Sequence, residues 1–165
     1  MRFGGRMVID REKKNKLLKA GFAVYALLML WLLFGQRLGY SKDGEYSEML
    51  LANINLVPFH TVGLFVRSLL RSENPALLRH AVINLAGNVV MFVPLGFFIP
   101  AVFVRMRTFA KTVLCSAAVV TVVEIIQLFT LLGSCDIDDL ILNMLGVAVG
   151  FIIFKNVKPI DFFMK

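Results

Sequence analysis

Four stretches of the chain stay apolar long enough to cross a bilayer: residues 20–36, 81–104, 112–132 and 138–154. About 17–25 apolar residues cross the hydrocarbon core. The first lies between Lys19 and Arg37. The second carries no charge but holds Asn84, Asn88, Pro94 and Pro100. The third is interrupted by Glu124 and Gln127. The fourth starts in the acids of CDIDDLILNMLG and ends at Lys155. The pattern predicts an all-α membrane protein, a four-transmembrane-helix bundle.

Residues 37–80 hold a further pattern, ANINLVPFHTVGLFVRSLLRS. Pro58 suits a first helical turn. From there Phe59, Val62, Val66 and Leu69 share one face, and His60, Arg67 and Arg71 share another. An amphipathic helix is expected, interfacial or re-entrant, in this first outer loop. Asn53 and Asn55 flank Ile54 in a short polar entry to it. Asn74-Pro75 reads as a cap followed by a first-turn proline. The second helix is therefore expected to start near Pro75, with Arg79 and His80 at its lip. Pro94 and Pro100 interrupt its backbone hydrogen bonding, which neighbours must then satisfy.

Composition strengthens the membrane reading. The hydrophobic fraction is 58% and mean hydropathy is +0.77. Soluble domains sit near 45–50% apolar. The net charge of +7 is carried at the ends of the apolar runs. That placement suits lipid headgroups and argues against nucleic acid.

The same charges orient the bundle. Residues 1–19 carry Arg2, Arg6, Arg11, Lys13, Lys14, Lys16 and Lys19. The link between the second and third spans carries Arg105, Arg107 and Lys111, and residues 155–165 carry Lys155, Lys158 and Lys165. The positive-inside rule places all three in the cytoplasm. Residues 37–80 and 133–137 then face outward, although the longer loop has bases of its own. The basic start is long, and FGQRLGYSK has no small-x-small cleavage pattern, so an uncleaved anchor is expected.

Cys115 and Cys135 would stand about 30 Å apart on a helix. Two free thiols without metal-ligand spacing are expected.

On this topology the polar residues of the last three spans gather toward the outer side. Asn84 and Asn88 are i, i+4. Glu124 and Gln127 are i, i+3. Asp136, Asp139, Asn143, Gly146 and Gly150 fall along one stripe, and Ala117, Val120, Glu124 and Gln127 along another. Gly146-x-x-x-Gly150 is a small-residue pattern for close helix approach. Asp136 or Asp138 alone is accounted for by helix capping. A mid-helix acid such as Glu124 is costly in a membrane and more often functional. The polar-cleft candidates are thus Asn55, His60, Arg67, Arg71, Asn84, Asn88, Glu124, Gln127, Asp136, Asp138, Asp139 and Asn143.

In order and spacing, four motifs resemble the VanZ-like family: NLVPF from Asn55, NLAGNVVMFVPLG from Asn84, EIIQ from Glu124 and DIDDLILNMLG from Asp136. The resemblance covers about residues 53–154. Where many members carry an Arg before the Asp-rich motif, this chain has Gly133-Ser134-Cys135. The resemblance implies a small bacterial inner-membrane protein linked to resistance against teicoplanin-type lipoglycopeptides. It implies no catalytic residue.

Three functions compete. The favoured one is a non-enzymatic envelope protein whose outward polar cleft binds an amphiphile or partner and lowers antibiotic access. Its expected partners are membrane lipids and a lipoglycopeptide or cell-wall precursor lipid. The alternative is an intramembrane enzyme on lipid-linked headgroups. There Glu124 would be the acid/base, Arg67 and Arg71 the phosphate holders, and Glu124, Asp138 and Asp139 weak metal candidates. His60 has the right type for a base, but a lone interfacial histidine is more often polar filler. A transporter is disfavoured by the lack of repeats and of a midplane polar cluster. No cofactor is expected.

Overall fold

The computed structural model describes residues 3–35, 45–71 and 74–157. Of the predicted landmarks, Arg2, Gln36, Arg37, Lys158 and Lys165 lie outside them. Helix α1 (Phe3–Leu30) runs on into a π-helical turn, Trp31–Gly35. Then come α2 (Tyr46–Ala52), the two-residue strand β1 (Ile54–Asn55) and α3 (His60–Arg71). They are followed by α4 (Pro75–Val102), α5 (Phe109–Phe129), the two-residue strand β2 (Cys135–Asp136) and α6 (Ile137–Asn156). Among the described residues four helical segments are long and apolar enough to cross a membrane: Glu12–Gly35, Pro75–Val102, Phe109–Phe129 and Ile137–Asn156. The chain is an all-α four-span bundle.

Local chemistry sets the boundaries. The Asn74 side chain accepts the Ala76 N–H at 3.0 Å, and Pro75 fills the first turn, so α4 begins where expected. Pro94 and Pro100 both lie inside α4, which runs through them. Helix α5 stops at Phe129, three residues short of the expected end, and Leu131 turns the chain with φ 54°.

The tightest pairing is α4 on α6. Three glycines make it possible. A Cβ on Gly146 would meet the Val89 carbonyl, one on Gly150 the Val93 carbonyl, and one on Gly96 the Val147 carbonyl. The contact is thus backbone to backbone on both helices. The Gly146-x-x-x-Gly150 stripe packs as expected, with Gly96 as its counterpart. Buried Phe92, Leu95, Ile99, Val120 and Val147 fill the space between the helices.

Two sequence expectations need correction. Helix α3 begins at His60, not Pro58, and Phe59 precedes it in a left-handed conformation, φ 62°. Val66 and Leu69 on its apolar face are exposed, which accords with an interfacial helix. Helix α3 packs on α4, where the Phe65 and His80 rings stand 5.7 Å apart. On α5 the buried stripe is Thr112, Ser116, Val120, Glu124 and Gln127, so Ser116 replaces the expected Ala117.

Candidate functional site

The polar residues gather at the end of the bundle where α5 finishes and α4 and α6 begin. A parallel pairing organises this end: Ile54 stands opposite Cys135, and Asn55 opposite Asp136. The Cys135 N–H donates to the Asn53 carbonyl at 2.8 Å. The Tyr46 hydroxyl donates to the Phe129 carbonyl at 2.7 Å. Residues 46–55 are thereby tied to the turn between α5 and α6.

Asp136 stands in extended backbone just before α6, and its Oδ1 accepts the Asp138 N–H at 2.8 Å. It is the N-cap of α6, as expected of it alone. It is therefore not part of a helical stripe with Asp139, as the spacing implied. Its Oδ2 accepts from Thr61 Oγ1 at 2.6 Å and from Asn55 Nδ2 at 3.2 Å. The Asn55 amide also donates to Thr61 Oγ1 at 2.8 Å, and its carbonyl oxygen accepts the Val57 N–H at 3.2 Å.

Asp138 is fully buried. It caps a helix other than its own. Its Oδ1 accepts the Phe59 N–H at 2.5 Å and its Oδ2 the Val62 N–H at 3.0 Å. These are donors at the start of α3 that the helix itself cannot satisfy. Left-handed backbone costs a bulky L-residue about 1–2 kcal/mol, so the two bonds offset strain at Phe59. Asp139 accepts from Asn88 Nδ2 at 2.5 Å, which joins α6 to α4.

Glu124 and Asn143 differ from these. Glu124 is 7% exposed and Asn143 is 4% exposed. Neither Glu124 Oε1 nor Asn143 Oδ1 has a hydrogen-bond partner among the described residues, and the same holds for buried Ser116 Oγ. An unsatisfied buried polar atom costs about 1–3 kcal/mol. The Asp139 and Asp136 carboxylates act electrostatically on Glu124, which places three acids around one region. Asn143 follows Asp139 by one turn on the same face of α6.

The other candidates fall elsewhere. Gln127 is buried, and its Nε2 donates to the Leu33 carbonyl at 2.9 Å, joining α5 to the first span. Asn84 is half-buried, one turn before Asn88. His60, Arg67 and Arg71 are exposed on α3. The metal reading of Glu124, Asp138 and Asp139 does not fit: both Asp138 oxygens hold backbone N–H groups. Among the described residues no group of three or more His, Cys, Asp or Glu side chains is placed to hold a metal ion.

Both cysteines are free thiols. Burial first, then the nearby Glu124 and Asp136 carboxylates, push the Cys135 thiol above its ordinary range.

Sequence reasoning missed Thr61 and Ser116. Ser116 was findable, because stepping back from Glu124 by eight residues stays on the same helix face. Thr61 had no local signal. Its role depends on a β1–β2 pairing between distant segments.

Chemically, this end of the bundle divides its acids. Asp136 and Asp138 hold the structure together, and Asp139 joins two helices. Glu124 and Asn143 leave acceptor atoms for a group that donates. A family model described as VanZ/LLP1 matches residues 22–158 of the chain. No curated protein matches it, and no solved structure does.

Proposed function

The chain belongs to the VanZ/LLP1 family, and from that premise we propose that it is a bacterial cell-membrane protein that lowers the access of teicoplanin-type lipoglycopeptides at the envelope. It does so without breaking bonds. The polar residues at the outward end of its bundle hold the donor-bearing head of an envelope amphiphile, either the lipoglycopeptide or a cell-wall precursor lipid. Both termini are cytoplasmic, following the bases at residues 1–19, 105–111 and 155–165.

One observation carries this reading: the buried Glu124 Oε1 and Asn143 Oδ1 have no partner among the described residues. Such atoms in a packed structure call for a further donor, a water or a ligand. The surrounding Asp136 and Asp139 carboxylates favour a donor that is cationic or rich in hydroxyls.

The enzyme alternative has less support. Arg67 and Arg71, its phosphate holders, are exposed on α3. General acid–base work also requires a partner within hydrogen-bond reach of the reacting proton.

The test expresses the full chain in a teicoplanin-susceptible host. The proposal expects reduced susceptibility with lipid-linked precursors of unchanged mass. Unchanged susceptibility at good membrane levels would refute it. A new precursor mass would replace it with the enzyme reading.

A further inference from the structure

The first span leans on α4 and leaves a gap beside α5. The Tyr25 hydroxyl donates to the Met91 carbonyl at 2.9 Å. The Phe22 and Phe98 rings stand 5.9 Å apart. The gap holds an apolar cavity of about 420 Å³. Tyr25, Met29 and Leu33 wall it from the first span, Leu95 from α4, and Cys115 and Val123 from α5. Among the described residues no charged side chain lines it. Its size falls in the range of ligand pockets, about 300–1,000 Å³.

Three features say what fills it. The first is position. Each wall belongs to a segment long and apolar enough to span a membrane, so the adjoining fluid is hydrocarbon. Water does not enter an apolar cavity of this kind, and an empty one is destabilising in proportion to its volume. The second is length. From Phe22 to Leu33, both on the wall, a helix rises about 16 Å, close to one leaflet of a core about 30 Å thick. The third is direction. The lining itself is apolar, but at one end of the wall the Leu33 carbonyl accepts from the Gln127 amide at 2.9 Å, so polar groups stand just beyond the lining there. There Val123 on the wall is followed directly by Glu124, whose Oε1 has no partner among the described residues.

We propose that this cavity is an acyl-chain site, in which one chain of a membrane amphiphile lies between the first span and α5 with its polar head at Glu124. An amphiphile is favoured over a detached hydrocarbon because Glu124 and Gln127 stand just beyond one end of the apolar wall. The placement of the head rests on the reading of Glu124 given above. The placement of the chain rests on the cavity alone.

The experiment places the full chain in vesicles of phosphatidylethanolamine and phosphatidylglycerol. A fraction of the phosphatidylethanolamine carries a diazirine at mid-chain. After photolysis, adducts are mapped by mass spectrometry. Adducts are expected at Met29, Leu95 and Val123. Ala26→Phe and Cys115→Phe fill the cavity from opposite walls, so a folding failure in one leaves the other to decide. Each is expected to lower those adducts at least five-fold. Adducts at Val122 and Ile126, on the exposed side of α5, should stay unchanged. Absent cavity adducts, or cavity adducts indifferent to both fillings, overturn the site. Teicoplanin protection is scored in parallel. Protection without cavity adducts refutes the chain site alone, and cavity adducts without protection support it while refuting only the functional reading.

Discussion

Asp138 accepts the backbone N–H of Phe59 at 2.5 Å, across 79 residues of chain. The first turn of α6 therefore holds the entry to α3. Asp136 adds a second tie through Thr61 at 2.6 Å. Two acids two positions apart thus do different work: one caps its own helix, and the other caps a helix from a distant loop.

Removing the Asp138 carboxylate should be costly. Asp138→Ala leaves the Phe59 and Val62 N–H groups without their acceptor, at about 2–3 kcal/mol. Thermal unfolding of the purified protein should shift down accordingly. Protease cleavage within residues 56–62 should also increase, because α3 loses its anchor. A variant that unfolds like wild type would show that the capping bonds contribute little.

The α4–α6 contact predicts opposite outcomes at two glycines. Gly150→Ala drives a Cβ into the Val93 carbonyl and the Phe97 amide. Separating the helices should cost about 1–3 kcal/mol. Gly87, also on α4, has nothing within 4 Å of an added Cβ. Gly87→Ala should be neutral or stabilise by about 0.5–1 kcal/mol through helix propensity. Melting temperatures of the two variants check the contrast.

Much of this contact was legible in sequence. Gly146 and Gly150 announce it by spacing, and Asn74-Pro75 announces the start of α4. The four spans follow from apolar run length, and the Asp136 cap from residue type and position. What escaped depends on distant segments meeting. Nothing near Asp138 points to Phe59, because a cap normally serves its own helix. The β1–β2 pairing is only two residues long on each side, too short for alternation to register. The amphipathic spacing of α3 is legible, but its start is not: Pro58 suits a first turn, yet the helix begins at His60 behind the left-handed Phe59.

Cys135 offers a prediction in pH. Its thiol is held above the ordinary range, by burial first and then by Glu124 and Asp136. Folding thus favours the neutral form. That contribution is present at neutral pH and is lost as pH rises through the raised folded value. Alkylation of Cys135 by iodoacetamide should therefore climb at higher pH than that of a free thiol, ordinarily near 8.5. Glu124→Gln removes one of the two acids and should move the profile back down. A profile matching the free thiol in the folded protein would contradict this.

The orientation is tested by a fused reporter. An enzyme reporter active only in the cytoplasm, joined after Lys165, should be active. A reporter active only outside the cell should be silent there. The reverse result would turn the polar end of the bundle toward the cytoplasm and remove its access to the envelope.

The most direct measurement concerns Glu124, because it asks whether a buried acid serves a ligand or only the fold. Glu124→Gln keeps the shape and one acceptor oxygen but removes the ionisable carboxyl. It is scored for melting temperature and for teicoplanin protection, with membrane levels matched to wild type. A group held for a ligand predicts a melting temperature within about 2 °C of wild type and protection reduced to that of cells lacking the chain. Full protection by the variant, or protection that falls only in step with a lowered melting temperature, would contradict it.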